Sequence, residues 1–424
     1  MRDKRILVLS HVNKEALNDI GNGYIREFIR QGAFFLDYNE VYFRYGNRKA
    51  EKHINDFIKK NGIEILIYAS SVDAFHFGIN FFERLKDRIF LVMMLGDTDH
   101  YFEVRDRYYA QVMDLIVVYD PFSVYSFKKI GVEAIFFPSS YDITKYSKID
   151  GFKKSIDVSF VGAISGKMRR SRYLNHLLSN GVKVEIYGYG SEKGQIPLKE
   201  MVELFNRSKI NLSFTGVSKT TEMTRQFRIH RRIRQIKGHV AEIALCGGFV
   251  LSEYAPGLES LFEIGSEIQV FSCEKELMEK TRYYLEHKEE RKTIAERGYR
   301  RAVKDYNASR SISSLIATIN DLTEGKKYKS ALPVYLDNVF IKNYTTYRVY
   351  LILKFIKLAR WKPLLDELNI IFRYKKLDLY QVRKFLIRDF LSNKIMFTLI
   401  SSVSGKIKND ANIINEHSKR PVSD

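Results

Sequence analysis

Two stretches of the chain hold charged side chains where they could meet an anion or a sugar. The first is FVGAISGKMRR, residues 160–170. A glycine at a strand end lets a ligand approach the backbone, and the helix that follows offers its N-terminal N–H groups to negative charge. Gly162 is placed for the first task, while Lys167, Arg169 and Arg170 add positive charge suited to a diphosphate. The spacing fits neither a P-loop nor a complete dinucleotide fingerprint, and basic residues in a first helical turn are usually just solvated. The second stretch says more: QIKGHVAEIALCGGFVLSEYAPGLE, residues 235–259. Here Glu242 sits in an otherwise apolar helix, followed by a glycine pair, a buried strand and a Pro-Gly turn with a further acid. Burying a carboxylate costs several kcal/mol unless something pairs with it. Ribose hydroxyls, which donate hydrogen bonds, would satisfy it, and Lys237 could reach a phosphate. The plainer alternative is a Lys237–Glu242 surface pair.

A third candidate is Asp97-Thr98-Asp99, with His100 beside it. Its spelling is that of a metal-binding pair, yet it lies in the other half of the chain from the diphosphate candidates, which suits an acceptor side. A strand-end Asp also serves simply as a helix cap. His11 follows the first strand, where a satisfied loop histidine is the commoner case. Tyr108-Tyr109 and Tyr283-Tyr284 read as packing aromatics.

Strands alternating with helices must position these residues. Short β-rich apolar runs predict buried parallel strands at 5–10, 63–68, 89–94, 115–119 and 134–137, with a helix through Tyr24–Arg30 ending at Gly32. A polar stretch from Tyr141 to Ser155 breaks the series, which restarts at 157–162, 182–188, 210–214, 248–251 and 268–271. Alternation of this kind implies parallel sheets with right-handed crossovers. The expected architecture is α/β: two Rossmann-like doubly wound domains, 1–150 and 151–322, facing a cleft where strand carboxyl ends bind ligands. Residues 323–424 lack the alternation and read as a basic helical extension with a frayed end.

Composition constrains partners. With 70 Lys+Arg against 50 Asp+Glu, the chain carries a formal charge of +20, which attracts polyanions such as anionic lipid or phosphorylated substrates. Nucleic acid is the disfavoured polyanion, since no recognised binding motif appears and the cations are spread along the chain. Two cysteines, Cys246 and Cys273, make no disulfide framework and read as buried thiols of a reducing compartment. The opening apolar run at Ile6–Leu9 is too short for a secretory core and no span of about 18 apolar residues occurs, so a cytoplasmic protein is expected. Tyr344–Leu391 mixes apolar and basic residues at helical spacing. It suits either a membrane-surface element or a helical cap on the chain or on a second copy; the number of apolar residues favours packing. Trp361 could anchor at an interface.

The second half resembles the GT-B glycosyltransferases of the large family 1/4-like retaining superfamily, and most of all their spore-maturation (CgeB-like) subgroup. The resemblance rests on DVSFVGAISGKMRR, VEIYGYGSEKGQIPLKEMVELFNRSKINLSF, IKGHVAEIALCGGFVLSEYAPGLESLF and ELMEKTRYYLEHKEERKTIAERGYRRAVKDY, in the family's order. LGDTDHYFE and DLIVVYDPFSVYSFKKIGVEAIFFP extend it loosely into the first half. It implies metal-independent, retaining transfer of a hexose-like sugar from a nucleotide-sugar to a carbohydrate, lipid-linked or protein acceptor, in surface polysaccharide or glycoconjugate assembly. No cofactor is implied beyond the donor itself. Glu242 matches the glutamate that holds the donor ribose; Gly162, Lys167, Arg169 and Lys237 match donor-diphosphate positions. Gly257 and Glu259 match the turn and acid near the transferred sugar, and Asp97, Asp99 and His100 match cleft residues on the acceptor side. Arg234 replaces the earlier of the superfamily's two glutamates, and His239 stands where the subgroup has arginine. A nucleotide-sugar epimerase of the same fold is the nearest alternative; a non-enzymatic basic protein binding nucleic acid or membrane is the more distant one.

Overall fold

The computed structural model describes residues 4–12, 20–71, 73–217, 223, 234–324 and 334–387. It divides into two compact units: Met1–Val41 with Glu51–Tyr335, and Tyr42–Ala50 with Leu336–Asp424.

The first unit holds two parallel sheets. Strands β1 (Ile6–Ser10), β2 (Phe34–Asp37), β3 (Ile65–Ala69), β4 (Phe90–Leu95), β5 (Leu115–Val118) and β6 (Ala134–Phe136) form a sheet of order β2-β1-β3-β4-β5-β6. Strands β7 (Ile156–Val161), β8 (Val184–Tyr187), β9 (Ser208–Ser213), β10 (Val250–Glu253) and β11 (Gln269–Phe271) form a second, of order β11-β10-β9-β7-β8. Every pairing is parallel, with Ile67 opposite Val92 in one sheet and Phe160 opposite Leu212 in the other. Central strands are buried along their whole length, as helices on both faces demand. The α/β class with a helical C-terminal part is therefore as the sequence implies.

Strand β2 was not read from the sequence. It is a four-residue edge strand, half buried throughout, and its apolar run at 33–36 directly follows the helix end at Gly32. Its presence matters, because it sets the strand order and puts a reversal between β1 and β3. A second reversal falls between β7 and β9. Ligands bind outside the carboxyl ends of strands at such switch points.

Two crossing segments join the sheets. The chain leaves β6 at Phe136 and enters β7 at Ile156. Further on, the helix Lys288–Asp305 gives way to the helix Ala308–Glu324, whose Ile312, Leu315 and Ile319 enter the core around β1, β3, β4 and β5. The segments are bonded to each other: Tyr141 donates its N–H to the Tyr306 carbonyl at 2.8 Å, and Ala308 donates to the Tyr141 carbonyl at 2.9 Å. Of the two cysteines only Cys246 is a buried thiol, whereas Cys273 is exposed at the start of the helix Glu274–Glu286. That corrects the expectation of two buried ones: the apolar residues before Cys273 belong to β11, which ends two residues earlier.

The second unit is helical. Asp337 caps the helix Asn338–Lys357, accepting from the N–H groups of Val339 and Phe340 at 2.9 Å each. It is followed by helices Trp361–Tyr374 and Leu379–Leu386. Tyr42–Ala50, read from sequence as part of the first domain, belongs here. Its Tyr42 hydroxyl donates to Glu367, Arg348 lies 3.1 Å from the same carboxylate, and Asn47 donates to Tyr42 at 3.1 Å. Arg348 and Glu367 are both fully buried.

Removing one member of a buried ion pair strands the other without water or partner, at about 3–5 kcal/mol, while replacing both with apolar groups is far milder. Arg348→Met should therefore lower the stability of this unit by about 3–5 kcal/mol, and Arg348→Met with Glu367→Leu should recover most of it. Urea unfolding followed by the emission of Trp361, the chain's single tryptophan, reads this unit directly. Equal losses in the single and double variants would contradict the assignment.

Candidate active site

The second sheet's switch point is built on close backbone approach. Gly162, at the end of β7, has φ +154°, and a Cβ there would lie 2.8 Å from the Phe160 ring. Gly188, at the end of β8, has φ +132°, and its Cβ would meet the Gly162 carbonyl oxygen at 2.3 Å. Only glycines allow the two strand ends to run this close. The loop then opens the helix Met168–Ser179 with Lys167 at its N-cap.

The strand ends gather cations. Arg169 Nε is 2.9 Å and Arg234 Nε 3.3 Å from Glu253 Oε1. Glu253 closes β10 at 1% exposure, and its second oxygen accepts N–H groups from Thr215 and Gly216 at 3.1 Å each. Arg170 lies over the Phe160 and Phe214 rings at 5.2 and 5.7 Å and donates to the Ala163 carbonyl. Glu253 was quoted within the sequence motif and given no role. The signal was available: an acid that ends an otherwise apolar, fully buried strand must have partners waiting.

Lys237 does not pair with Glu242. Its ammonium is 2.9 Å from Asp97 Oδ1, across from the second sheet to the end of β4 in the first. Asp97 stands at the N-cap position of the helix Thr98–Tyr101 without a side-chain capping bond, so the cap reading gives way to an ion pair. Its backbone is left-handed, φ +47° and ψ 33°, unusual for a residue other than glycine and a marker of stored strain. Burial acts to raise the Asp97 carboxyl pKa, but Lys237, His100 and Lys167 outweigh it and hold the group below the ordinary carboxylate value. For Lys167 the balance is opposite: burial, then Arg170 and Lys237, lower its pKa, with Asp97 alone opposing them. Lys167, Arg170, Lys237 and Asp97 thus share one electrostatic site.

Glu242 lies in the helix His239–Leu245 at 4% exposure, and burial pushes its carboxyl up to about 7, against a hydrogen bond from Tyr146. Burial and then Arg170 push His239 down to about 4, and its Nε2 is 3.9 Å from Glu242 Oε2. Arg170 therefore links this pair to the cation cluster, while Glu242 itself touches neither Lys167 nor Lys237. Near neutral pH a carboxyl of this kind can accept or donate a hydrogen bond to a hydroxyl.

The remaining candidates are placed differently. Gly257, φ +99°, sits under the start of the helix Pro121–Lys128, a Cβ lying 3.0 Å from Pro121. Glu259 turns back on its own loop, accepting the Gly257 N–H at 3.1 Å, and it does not join the cations. His100 is buried beside Tyr101, and Asp99 is half-buried on the same turn. The helix continues through a π-helical turn, Phe102–Asp106, an irregularity frequent at functional sites. At the first sheet's switch point His11 Nδ1 lies 3.3 Å from Asp37, a pairing hidden from sequence because β2 was. Among the described residues no group of three or more His, Cys, Asp or Glu is arranged to hold a metal ion.

Comparison with known proteins agrees with this geometry. Residues 169–317 match the family model described as glycosyl transferase-like. No curated protein sequence matches the chain. Among solved structures, HepE of Anabaena in complex with UDP is similar with a TM-score of 0.53 at 12% identity, over 75% of this chain and 100% of that one. Sucrose-phosphate synthase from Thermosynechococcus elongatus gives 0.55 at 10% identity, over 76% and 100%. The fold is GT-B, and the half that holds the second sheet carries a glycosyltransferase-like segment.

The shifted Glu242 has a consequence for pH. Its folded pKa lies above the unfolded value of 4.5, so the stability from its bound proton is complete below 4.5 and lost as pH rises through about 7. His239 runs the other way, its contribution being lost as pH falls from 6.5 through about 4. Glu242→Gln removes the first effect alone. Relative to the unsubstituted chain it should gain on the order of 3 kcal/mol in stability between pH 4 and pH 8, read from chemical denaturation at both values. A difference that does not change with pH would place the Glu242 carboxyl in water.

Proposed function

We propose that the chain is a nucleotide-sugar glycosyltransferase. The donor's anomeric carbon–oxygen bond to the diphosphate breaks, a bond to an acceptor hydroxyl oxygen forms, and the nucleoside diphosphate leaves. Negative charge grows on that leaving group, so fixed cations supply the main stabilisation. Lys167, Arg169 and Lys237 have this role, with Arg170 behind them, and Glu242 takes the ribose. Gly162 lets the diphosphate approach β7. Asp97, Asp99, His100 and Glu259 serve the sugar and acceptor. The observation that carries the reading is the gathering of cations at Lys167, whose pKa is lowered by burial and then by Arg170 and Lys237, with the Lys237 ammonium 2.9 Å from Asp97.

Transfer is proposed to be hexosyl, retaining and independent of metal, since the cations already present neutralise the diphosphate. The acceptor is a carbohydrate, lipid-linked or protein hydroxyl, in surface polysaccharide or glycoconjugate synthesis at the cytoplasmic face of a membrane. One observation favours the epimerase alternative: His11 with Asp37 at the end of β1 is an acid–base pair of the kind a reaction without acceptor would use. Product analysis separates them, because an epimerase turns the nucleotide-sugar into its epimer with no acceptor present, whereas a transferase frees the nucleoside diphosphate and glycosylates the acceptor.

Lys237→Ala and Glu242→Ala should each lower transfer by about 10²–10³ in kcat, the loss typical for one charge-stabilising or positioning donor. Thermal shifts with UDP-, GDP-, ADP- and dTDP-sugars identify the donor first, and radiolabel transfer then measures rate. Ordinary turnover by both folded variants would dismiss this site assignment.

A further inference from the structure

We propose that the helix Trp361–Tyr374 lies in the surface of an anionic membrane through one exposed stripe. Trp361, Leu365 and Phe372 are 63%, 58% and 66% exposed. Spacings of four and seven residues stack them on a single helix face. This is not the packing face: Leu364 and Glu367 point inward, toward the helix Asn338–Lys357. The chain thus keeps an apolar stripe in water beside a buried face that already satisfies the helix's need for a core.

Charge complementarity identifies the occupant. Lys362 and Arg373 are exposed on the flank of the stripe, and Lys375 follows at the helix C-cap. Of the helix's two acids, Glu367 is neutralised in the buried pair with Arg348, leaving Asp366 as the only acid near the stripe. A second copy of this chain would set the same cations against each other. A lipid surface with acidic head groups takes both features at once: the apolar side chains enter the acyl boundary and the cations meet the head groups. Tryptophan favours that boundary, having an apolar ring and one N–H for the wet side. No helix among the described residues is long and apolar enough to cross a membrane, so the contact is one of lying on the surface.

Trp361 is the chain's only tryptophan, so its emission reports on this stripe alone. The full chain is mixed with vesicles of phosphatidylcholine, or of equal parts phosphatidylcholine and phosphatidylglycerol, at low and high salt. The expected result is flotation with the anionic vesicles, a blue shift of Trp361 and quenching by brominated lipid, all weakened by salt. Leu365→Ser with Phe372→Ser should reduce binding roughly tenfold or more. Lys362→Glu with Arg373→Glu, at exposed positions that leave the fold intact, should abolish the preference for anionic lipid. Flotation with no change at Trp361 would overturn the proposal, as would the absence of flotation. A concentration-dependent blue shift without vesicles, accompanied by dimer in sedimentation, would also overturn it by assigning the stripe to a second copy. The readouts need no donor or acceptor, so they stand or fall separately from transferase activity.

Discussion

The carboxylate of Glu253 is the fixed point on which the second sheet's ligand face depends. A charge taken out of water at the end of a buried strand costs several kcal/mol unless it is saturated. Here two backbone N–H groups and a threonine hydroxyl donate to one oxygen, and two arginines stand at ion-pair distance from the other. Pairing works in both directions. The same contacts that make Glu253 tolerable hold Arg169 and Arg234 in one orientation, converting flexible side chains into fixed charge. Fixed charge is what stabilises a departing diphosphate, because it need not reorganise when the bond breaks. The glycines at 162 and 188 serve the same end by letting the ends of β7 and β8 approach closely, just before the chain turns to Lys167.

Much of this architecture was legible in the residues, and the rest was hidden for identifiable reasons. Continuous apolar runs revealed strands such as β4 and β5, the usual composition of a strand buried on both faces. Edge strand β2 has only the short run 33–36 to mark it, and with it went the pairing of His11 with Asp37. The acid Glu242 announced itself by standing alone in an apolar helix, and its burial is as that isolation implied. The plainer alternative, a surface pair with the lysine five residues earlier, does not form. Lys237 lies before the helix begins, so periodicity within the helix does not govern it, and it reaches another sheet instead. Long-range pairs are invisible to spacing.

The helical unit shows the same division between local and distant information. Its caps are readable, since Asp337 and Asp378 each precede a helix and accept its first N–H groups. That Tyr42–Ala50 joins it was not, because the decision is made by one buried carboxylate that takes Tyr42 and Arg348 as donors from two separate stretches of chain. Two readings had been open for these helices, packing or a surface role, and the contacts within this unit are those of packing. Asn338–Lys357 buries aromatic and aliphatic residues along its length, while Trp361–Tyr374 turns only one face inward.

The pair between Asp97 and Lys237 has the most consequence for mechanism. Half-exposed ion pairs contribute only about 0–1 kcal/mol, too little to explain why Asp97 holds a left-handed backbone that costs of order 1–3 kcal/mol. The strain is better understood through what the carboxylate does for its surroundings. Arg170 and Lys237 both act against the charge on Lys167, and Asp97 opposes them. Asp97 supplies one negative charge at Lys237 and Lys167, while Glu253 offsets Arg170. A diphosphate brings more charge than a carboxylate and competes for the same ammonium, so its arrival would displace Asp97 and relieve the strain at once. The turn that carries Asp97 also carries Asp99 and His100. On the proposed function, a donor diphosphate that takes Lys237 from Asp97 would also act on the turn that carries Asp99 and His100.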